Sequence, residues 1–433
     1  MHKAITRSVW VATFIGSACG QTPAPVLSLQ QAHAIALKNH PQVLAAQATY
    51  LRSDQLTRQA RSGYYPTING EVTAAQANDS ARLGAGVLND PRLFDHFGSG
   101  LALSQLITDS GRTPNLVANA ALQAQASRAN YQATRYDVIL GVDQAYYEVL
   151  LAGQLVKVAQ QTVTTRSTVA NQVSELAKNK LRSQVDVSFA NVNLADAKLM
   201  LLRAQSRLQS AYAVLAQALG TQQLATYQLS EQPLPPNPPA DPQPLIDEAL
   251  RDRPEMASTR LQQQADQKFV YAERDLKRPT VSLIAVGGAL PFINPGNANP
   301  DIPVGYESAA VNVQIPVFNG HLFSARRQAA EYQLQVTEQH TRDLQNRIAR
   351  DVQTSWENSR TAYEAIGTTQ QLLDQANMAL DLAQGRYKLG LASIVELTQA
   401  QLGQTQGEVE NLSAKYEYQE AYAALQYTLG QLH

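Results

Sequence analysis

The sequence predicts a mainly helical fold with a small β part, and it predicts that fold twice over. Two observations carry this. Shifted by 210 residues against itself, the chain matches from Leu103 to its end without an insertion: Ala211-Tyr212-Ala213-Val214-Leu215 lies over Ala421-Tyr422-Ala423-Ala424-Leu425, and Ser183-Gln184-Val185-Asp186 over Ser393-Ile394-Val395-Glu396. The earlier part of each half matches at a shift of 213, with Ala36-Leu37-Lys38-Asn39-His40-Pro41 over Ala249-Leu250-Arg251-Asp252-Arg253-Pro254. Internal self-similarity of this kind fixes an architecture before any local motif does. The second observation is composition: 44% hydrophobic but only 6% aromatic, with 16% charged residues, as in long packed helices. A net charge of -1 gives no basic footprint, so no nucleic-acid partner is expected.

The elements follow in order. Lys3 and Arg7 precede an apolar run from Val9 to Ala18 that closes on small residues, the pattern of an export signal over 1–18. That run is shorter than the roughly 18–20 residues a membrane-spanning helix needs, and no other run reaches that length. Cys19, the only cysteine, follows at once. Ser17-Ala18-Cys19-Gly20 resembles a bacterial lipoprotein cleavage site, which makes Cys19 a candidate for acylation; the alternative is an ordinary signal peptide discarded with Cys19 inside it. A first repeat over 19–230, a linker over 231–244 and a second repeat over 245–433 are expected.

Each repeat opens with an amphipathic helix, about 28–62 and 243–276, that carries an Asn-His-Pro or Asp-Arg-Pro break in its early turns and is ended by Tyr64-Tyr65-Pro66 or Lys277-Arg278-Pro279, because a residue before proline disfavours helix. Period-two segments come next, as strand pairs at about 64–107 and 279–317. Ile68, Gly70 and Val72 alternate with Thr67, Asn69 and Glu71, and Val311, Val313 and Ile315 with Ala310, Asn312 and Gln314. Segments 78–97 and 288–305, rich in Gly, Asn, Asp and Pro, read as loops. Strands of about 10 residues with one apolar face suit a membrane barrel, but barrels begin near about eight strands. Four per chain can span a membrane only if several protomers share one barrel, since open edges are forbidden in lipid.

The helical hairpins, about 113–220 and 322–430, give the sharpest pattern. Ile348, Val352, Ser355, Ser359, Ala362 and Ile366 begin an uncharged four-three spacing that runs to Tyr387. Its image 210 residues earlier is broken only by Arg166, and Val187, Ala190, Leu194 and Ala197 begin the same spacing on the returning helix. A period of 3.5 imposes coiled-coil packing. A helix from Thr113 to Lys178 would reach about 100 Å at 1.5 Å per residue. At the hairpin tips Gly390 supplies a left-handed cap, and Ser393 with Glu396 forms a capping box, matched by Ser183 with Asp186. Asn179 and Lys180 stand where the second tip has Leu389 and Gly390.

Ile315-Pro316-Val317-Phe318-Asn319-Gly320 and Tyr387-Lys388-Leu389-Gly390-Leu391-Ala392-Ser393-Ile394-Val395-Glu396-Leu397, together with the Asn39-His40-Pro41 segment and the duplication, resemble the TolC-like outer-membrane efflux family over essentially the whole mature chain. The resemblance implies a homotrimer with one shared twelve-stranded barrel among outer-membrane lipid, continued by a tunnel of helices through the periplasm. It implies an exit duct for an efflux or secretion system, working with a periplasmic adaptor protein and an inner-membrane transporter. By position Glu396 matches an acidic ring at the pore constriction, Gln399 stands where some members carry a second acid, and Ala392 where some carry an arginine. Tyr387 matches a tip tyrosine used in closure. Lys180, Arg182, Ser183, Asp186, Tyr387, Gly390 and Ser393 are the tip residues expected to meet the adaptor.

Two other classes fit less well. The seven histidines show no metal-ligand spacing, and there is no phosphate-binding loop or nucleophile motif, so neither an enzyme nor a cofactor is expected. A periplasmic coiled coil without a pore gives no reason for both copies to keep alternating strands.

Overall fold

The computed structural model describes residues 26–76, 96–222, 227–293 and 305–432. The segment holding the expected signal and Cys19 lies outside the described residues, as does most of the loop at 78–97. The first repeat contains β1 (Val26–Leu27), α1 (Leu29–Asn39), α2 (Pro41–Arg61), β2 (Thr67–Ala75), β3 (His96–Thr108), α3 (Arg112–Lys178) and α4 (Gln184–Ala218). After β4 (Gln228–Leu229), the second contains α5 (Gln243–Asp252), α6 (Pro254–Asp275), β5 (Thr280–Ile293), β6 (Gly305–Gln314), α7 (Leu322–Lys388) and α8 (Ile394–Leu429). It is mainly helical, with four long strands.

The opening helix of each repeat is divided at the break its sequence carries. His40 and Arg253 take extended backbone (ψ 125° and 131°), and Pro41 and Pro254 each start a new helix. The proline ring excludes its predecessor from helical space but is preorganised for the first helical position. The breaks are also docking points. Gly220 ends the first hairpin with φ +69°, and a Cβ there would lie 2.7 Å from the Cα of His40; Gly430 sits in the same way against Arg253.

β2, β3, β5 and β6 form one antiparallel sheet in that order, with Ile68 opposite Leu103, Leu103 opposite Ala285 and Ala285 opposite Ala309. β5 continues through Gly288 to Ile293, so the start of the segment expected as a loop at 288–305 is strand. β2 and β6 are the free edges, and β6 is exposed along its whole length. Ile68, Val72, Leu101, Val311 and Val313 stay exposed on this sheet, an apolar face with nothing against it in one protomer.

α3 and α7 are 67 residues each. α3 packs on α4 and α8 along its lower part and on α2 and α6 above; α7 packs on α8 and α6. The largest core lies where α1, α3, α4 and α8 meet, around Val142, Tyr146, Ala152 and Leu215, all essentially without solvent contact. Val142 and Leu215 each contribute about 1.5–3 kcal/mol by leaving water. Arg166, the one break in the seam, is buried and donates through Nη1 to the Asn193 carbonyl at 3.1 Å.

The proline-rich linker is a strap held down at three points. Its carbonyls accept from the Tyr418 hydroxyl (Pro236, 2.5 Å), the Trp356 indole (Pro239, 2.7 Å) and the Gln419 amide (Gln232, 3.0 Å), which ties it to α7 and α8.

Candidate functional site

The two hairpin turns lie side by side at one end of the long helices. Both use one backbone device, a left-handed residue followed by a long return bond. Gly390 has φ +74°, its amide donates to Tyr387, and the Leu391 amide donates to Arg386 at 2.8 Å. In the first turn Lys180 takes φ +60° and the Leu181 amide donates to Leu176 at 2.9 Å. A left-handed residue carrying a Cβ costs roughly 1–2 kcal/mol, which Gly390 avoids and Lys180 does not.

The helix starts differ. Ser183 and Asp186 form the full capping box, each side chain taking the other's amide at 3.1 Å. Ser393 accepts from the Glu396 amide at 3.2 Å, but the return half expected from Glu396 is missing. Glu396 faces Arg386 instead, with Nη1 to Oε1 at 3.3 Å and both side chains nearly half exposed. A guanidinium across the turn competes for the carboxylate with a single backbone amide, and here it wins.

One cation joins the two tips. Arg182 donates through Nη2 to the Tyr387 carbonyl at 3.3 Å and lies 4.5 Å from the centre of its ring. The cation–π and hydrogen-bond geometry together bind the first turn to the end of α7. The Tyr387 hydroxyl is buried with no partner among the described residues. Burial raises its pKa above that of free tyrosine, Arg182 opposes this and Asp186 adds to it. Asn193 on α4 donates to Thr398 on α8 at 3.0 Å, a second tie just above.

Two grooves open here. One, of about 990 Å³, lies between the tips, lined by Leu176, Leu181, Arg182, Tyr387, Leu389 and Gly390. Leu181, Leu389 and Leu391 are each about two-thirds exposed or more, an uncovered apolar rim. The other, of about 510 Å³, lies between α7 and α8 and is lined by Ala376, Ala379, Ala383, Ala400 and Gly403, with Glu396 and Gln399 sharing it. The positions 210 residues earlier hold Arg166, Val169, Val173, Ala190 and Asn193, so the first hairpin fills what the second leaves open.

Every tip residue singled out from the sequence therefore belongs to one cluster. Lys180, Arg182, Tyr387 and Gly390 sit in the turns, Ser183, Asp186 and Ser393 cap the returning helices, and Glu396 with Gln399 lie one groove away. Two features escaped sequence reasoning: Arg386 as the partner of Glu396, and Arg182 as the partner of Tyr387 205 residues away. A third lies higher up. Glu420 on α8 faces Glu148 and Glu417, with Arg207 bonded bidentately to Glu148 at 2.7 and 3.0 Å. Burial first, then the two carboxylates, raise the Glu420 pKa from 4.5 to about 7, against an opposing pull from Arg207.

Among the described residues no group of His, Cys, Asp and Glu could hold a metal ion, and no helix is long and apolar enough to cross a membrane. The arrangement offers surfaces, two grooves and charge.

Comparison with known proteins gives the family. The family model described as outer membrane efflux protein matches residues 34–221 and 245–431, once in each repeat. The chain is 23% identical over 371 residues to outer membrane efflux protein BepC of Brucella suis biovar 1, covering 84% of this chain and 77% of that protein. It is 21% identical over 429 residues to outer membrane protein TolC of Vibrio cholerae serotype O1, covering 97% and 94%. Its fold matches the crystal structure of the outer membrane protein VceC from Vibrio cholerae with a TM-score of 0.81, at 19% identity, over 93% of this chain and 96% of that one. Two matched repeats, four antiparallel strands and paired long helices lead to one conclusion: the chain belongs to the outer membrane efflux protein family and is an outer-membrane channel of tripartite efflux or secretion systems, a conduit rather than an enzyme.

Proposed function

We propose that three copies of this chain close into one duct, with the sheets forming a barrel in the outer membrane and the helices a tunnel through the periplasm. The observation that carries this is the four-stranded sheet with two free edges, β2 and β6, and an uncovered apolar face. An unpaired edge costs several kcal/mol per polar group in hydrocarbon, so the sheet is stable in lipid only when β6 of one copy pairs with β2 of the next. Three times four strands gives a barrel well above the minimum of about eight.

The same reading assigns the tips. The apolar rim around the groove between the two turns is the surface offered to a periplasmic adaptor, which connects the duct to an inner-membrane transporter. Glu396, carried three times around the axis, forms an acidic ring at the narrow end, with Gln399 as its neutral neighbour. Residues 1–18 act as the export signal, and acylation of Cys19 adds a lipid anchor. Loss of labelled palmitate in Cys19→Ser tests that last point; equal labelling, or a mature N-terminus beyond Cys19, contradicts it.

The duct is tested in planar bilayers. The purified protein should conduct ions in discrete steps, and the gene should restore export of toxic compounds to a strain lacking its own duct. Folded, inserted protein with no conductance would overturn the proposal.

A further inference from the structure

The two faces of the sheet carry different side chains. Ile68 and Val72, Leu101 and Leu103, Val281 and Leu283, and Val311 and Val313 share one face. The other holds Thr67, Asn69, Glu71 and Thr73, with Ser104, Ser282, Asn312 and Gln314. In a membrane barrel the apolar face meets lipid and the polar face lines the lumen. β2, β3, β5 and β6 contain no Lys or Arg and two acids. Glu307 stands at the far end of the apolar register, and Glu71 is alone on the polar face.

Glu71 belongs to a row that crosses the whole sheet. It pairs with Gly100, Gly100 with Gly288, and Gly288 with Tyr306. Residues directly opposite on paired strands share a face, so all four positions look into the lumen. A Cβ at Gly100 or at Gly288 would lie 2.7 Å from the Tyr306 hydroxyl, closer than real Cβ atoms come. Tyr306 therefore lies down across both glycines, and its hydroxyl ends one strand, about 4.8 Å, short of Glu71. An aromatic side chain laid over strand glycines repairs a weak stretch of sheet. Here it also leaves the ring uncovered, since neither glycine raises a side chain beside it. Tyr306 is 41% exposed, and Glu71 is exposed as well.

We propose that Glu71 and Tyr306 form a binding site for bulky organic cations on the barrel wall, with the carboxylate supplying charge and the tyrosine ring a π face. This rests on the shared-duct reading, which supplies the lumen, and goes beyond it by naming a class of compound the exit recognises. A carboxylate alone takes any cation. A ring set apart from it by the glycine floor favours a broad, weakly hydrated one, because a bare metal ion cannot touch both.

The site is not a product of the duplication. Ile284 lies over Glu71 at a shift of 213, and Tyr306 lies over His96 at a shift of 210, so neither partner has a like residue in the other repeat. Each protomer carries the pair once. Three copies would set three such sites at one height, about 13 Å above the foot of β2 at Thr67.

Ethidium, a broad aromatic cation, is the probe, and its fluorescence polarisation is read against the detergent-solubilised full-length trimer. All variants are made together with Glu396→Gln, so that the tips do not contribute. Glu71→Gln and Tyr306→Leu should each weaken binding roughly two- to fivefold, and Tyr306→Phe should leave it unchanged. Binding unaltered by Glu71→Gln, or by Tyr306→Leu, in a protein that is still a trimer by native mass would overturn the site. So would Tyr306→Phe binding as weakly as Tyr306→Leu, because the ring would then not be the recognised group. Should Tyr306→Leu fail to assemble, Glu71→Gln decides alone, since it changes an exposed side chain without changing its shape. A monomeric native mass for the unaltered protein would instead contradict the shared duct itself.

Discussion

Glu396 illustrates how a residue can have two readings that only geometry separates. A capping carboxylate and a pore carboxylate need the same residue in the same place. The structure takes the side chain away from its helix start and turns it to Arg386, leaving Ser393 to cap alone. An ion pair this exposed adds about 0–1 kcal/mol at most. Glu396→Gln should therefore leave the melting temperature nearly unchanged while lowering cation selectivity and weakening block by multivalent cations in planar bilayers. Unchanged selectivity would reduce Glu396 to a surface carboxylate. Glu420 makes the opposite kind of prediction. With its pKa raised to about 7, its neutral form is favoured by the fold. The resulting stability is complete below pH of about 4.5 and is lost as pH rises through about 7. Glu420→Gln should raise the melting temperature above pH 7 and leave it unchanged in mild acid; a variant no more stable at pH 8 would show that the cluster is solvated. Glu396 was plain in the sequence, while the cluster around Glu420 was not. Nor were Arg386 as the partner of Glu396 or Arg207 as the partner of Glu148, because a one-dimensional pattern gives the face of a helix but not which long side chain reaches across.

At the scale of the element, periodicity decided what could be read. The four-three spacing from Ile348 to Tyr387 persists over so many turns that only a long coiled-coil helix satisfies it, and α7 is that helix. The opening helices were harder. Their apolar spacing continues through His40-Pro41 and Arg253-Pro254, and only the conflict between proline and its predecessor reveals the break. β5 reaches into the segment expected as loop because Gly287, Gly288 and Ala289 pair with β3 and β6; glycine suggests a turn in sequence but fits a crowded strand equally well. The turn at Gly390 was legible, since positive φ has few sequence solutions. Gly390→Val should strain it by about 1–2 kcal/mol, comparable with what Lys180 already bears in the other turn, and should weaken adaptor-dependent export while the duct still assembles. Normal drug resistance at equal surface levels would count against docking through this tip.

For the whole molecule, duplication does most of the work. A unit that buries α3 on both sides and α7 on one, and that ends its sheet on two bare strands, is incomplete by construction. The sequence already held this: strands with one apolar face in both copies, four to a chain, too few to close. What it did not hold was which surfaces are left over. That depends on how the hairpins sit beside each other, and on Arg182 reaching Tyr387 from a turn 205 residues away. The central claim is that closure needs three chains. Native mass spectrometry of the protein extracted from outer membranes in mild detergent tests it most directly. The account predicts a trimer that loses its folded barrel when it dissociates; a stable, folded, membrane-inserted monomer would contradict it.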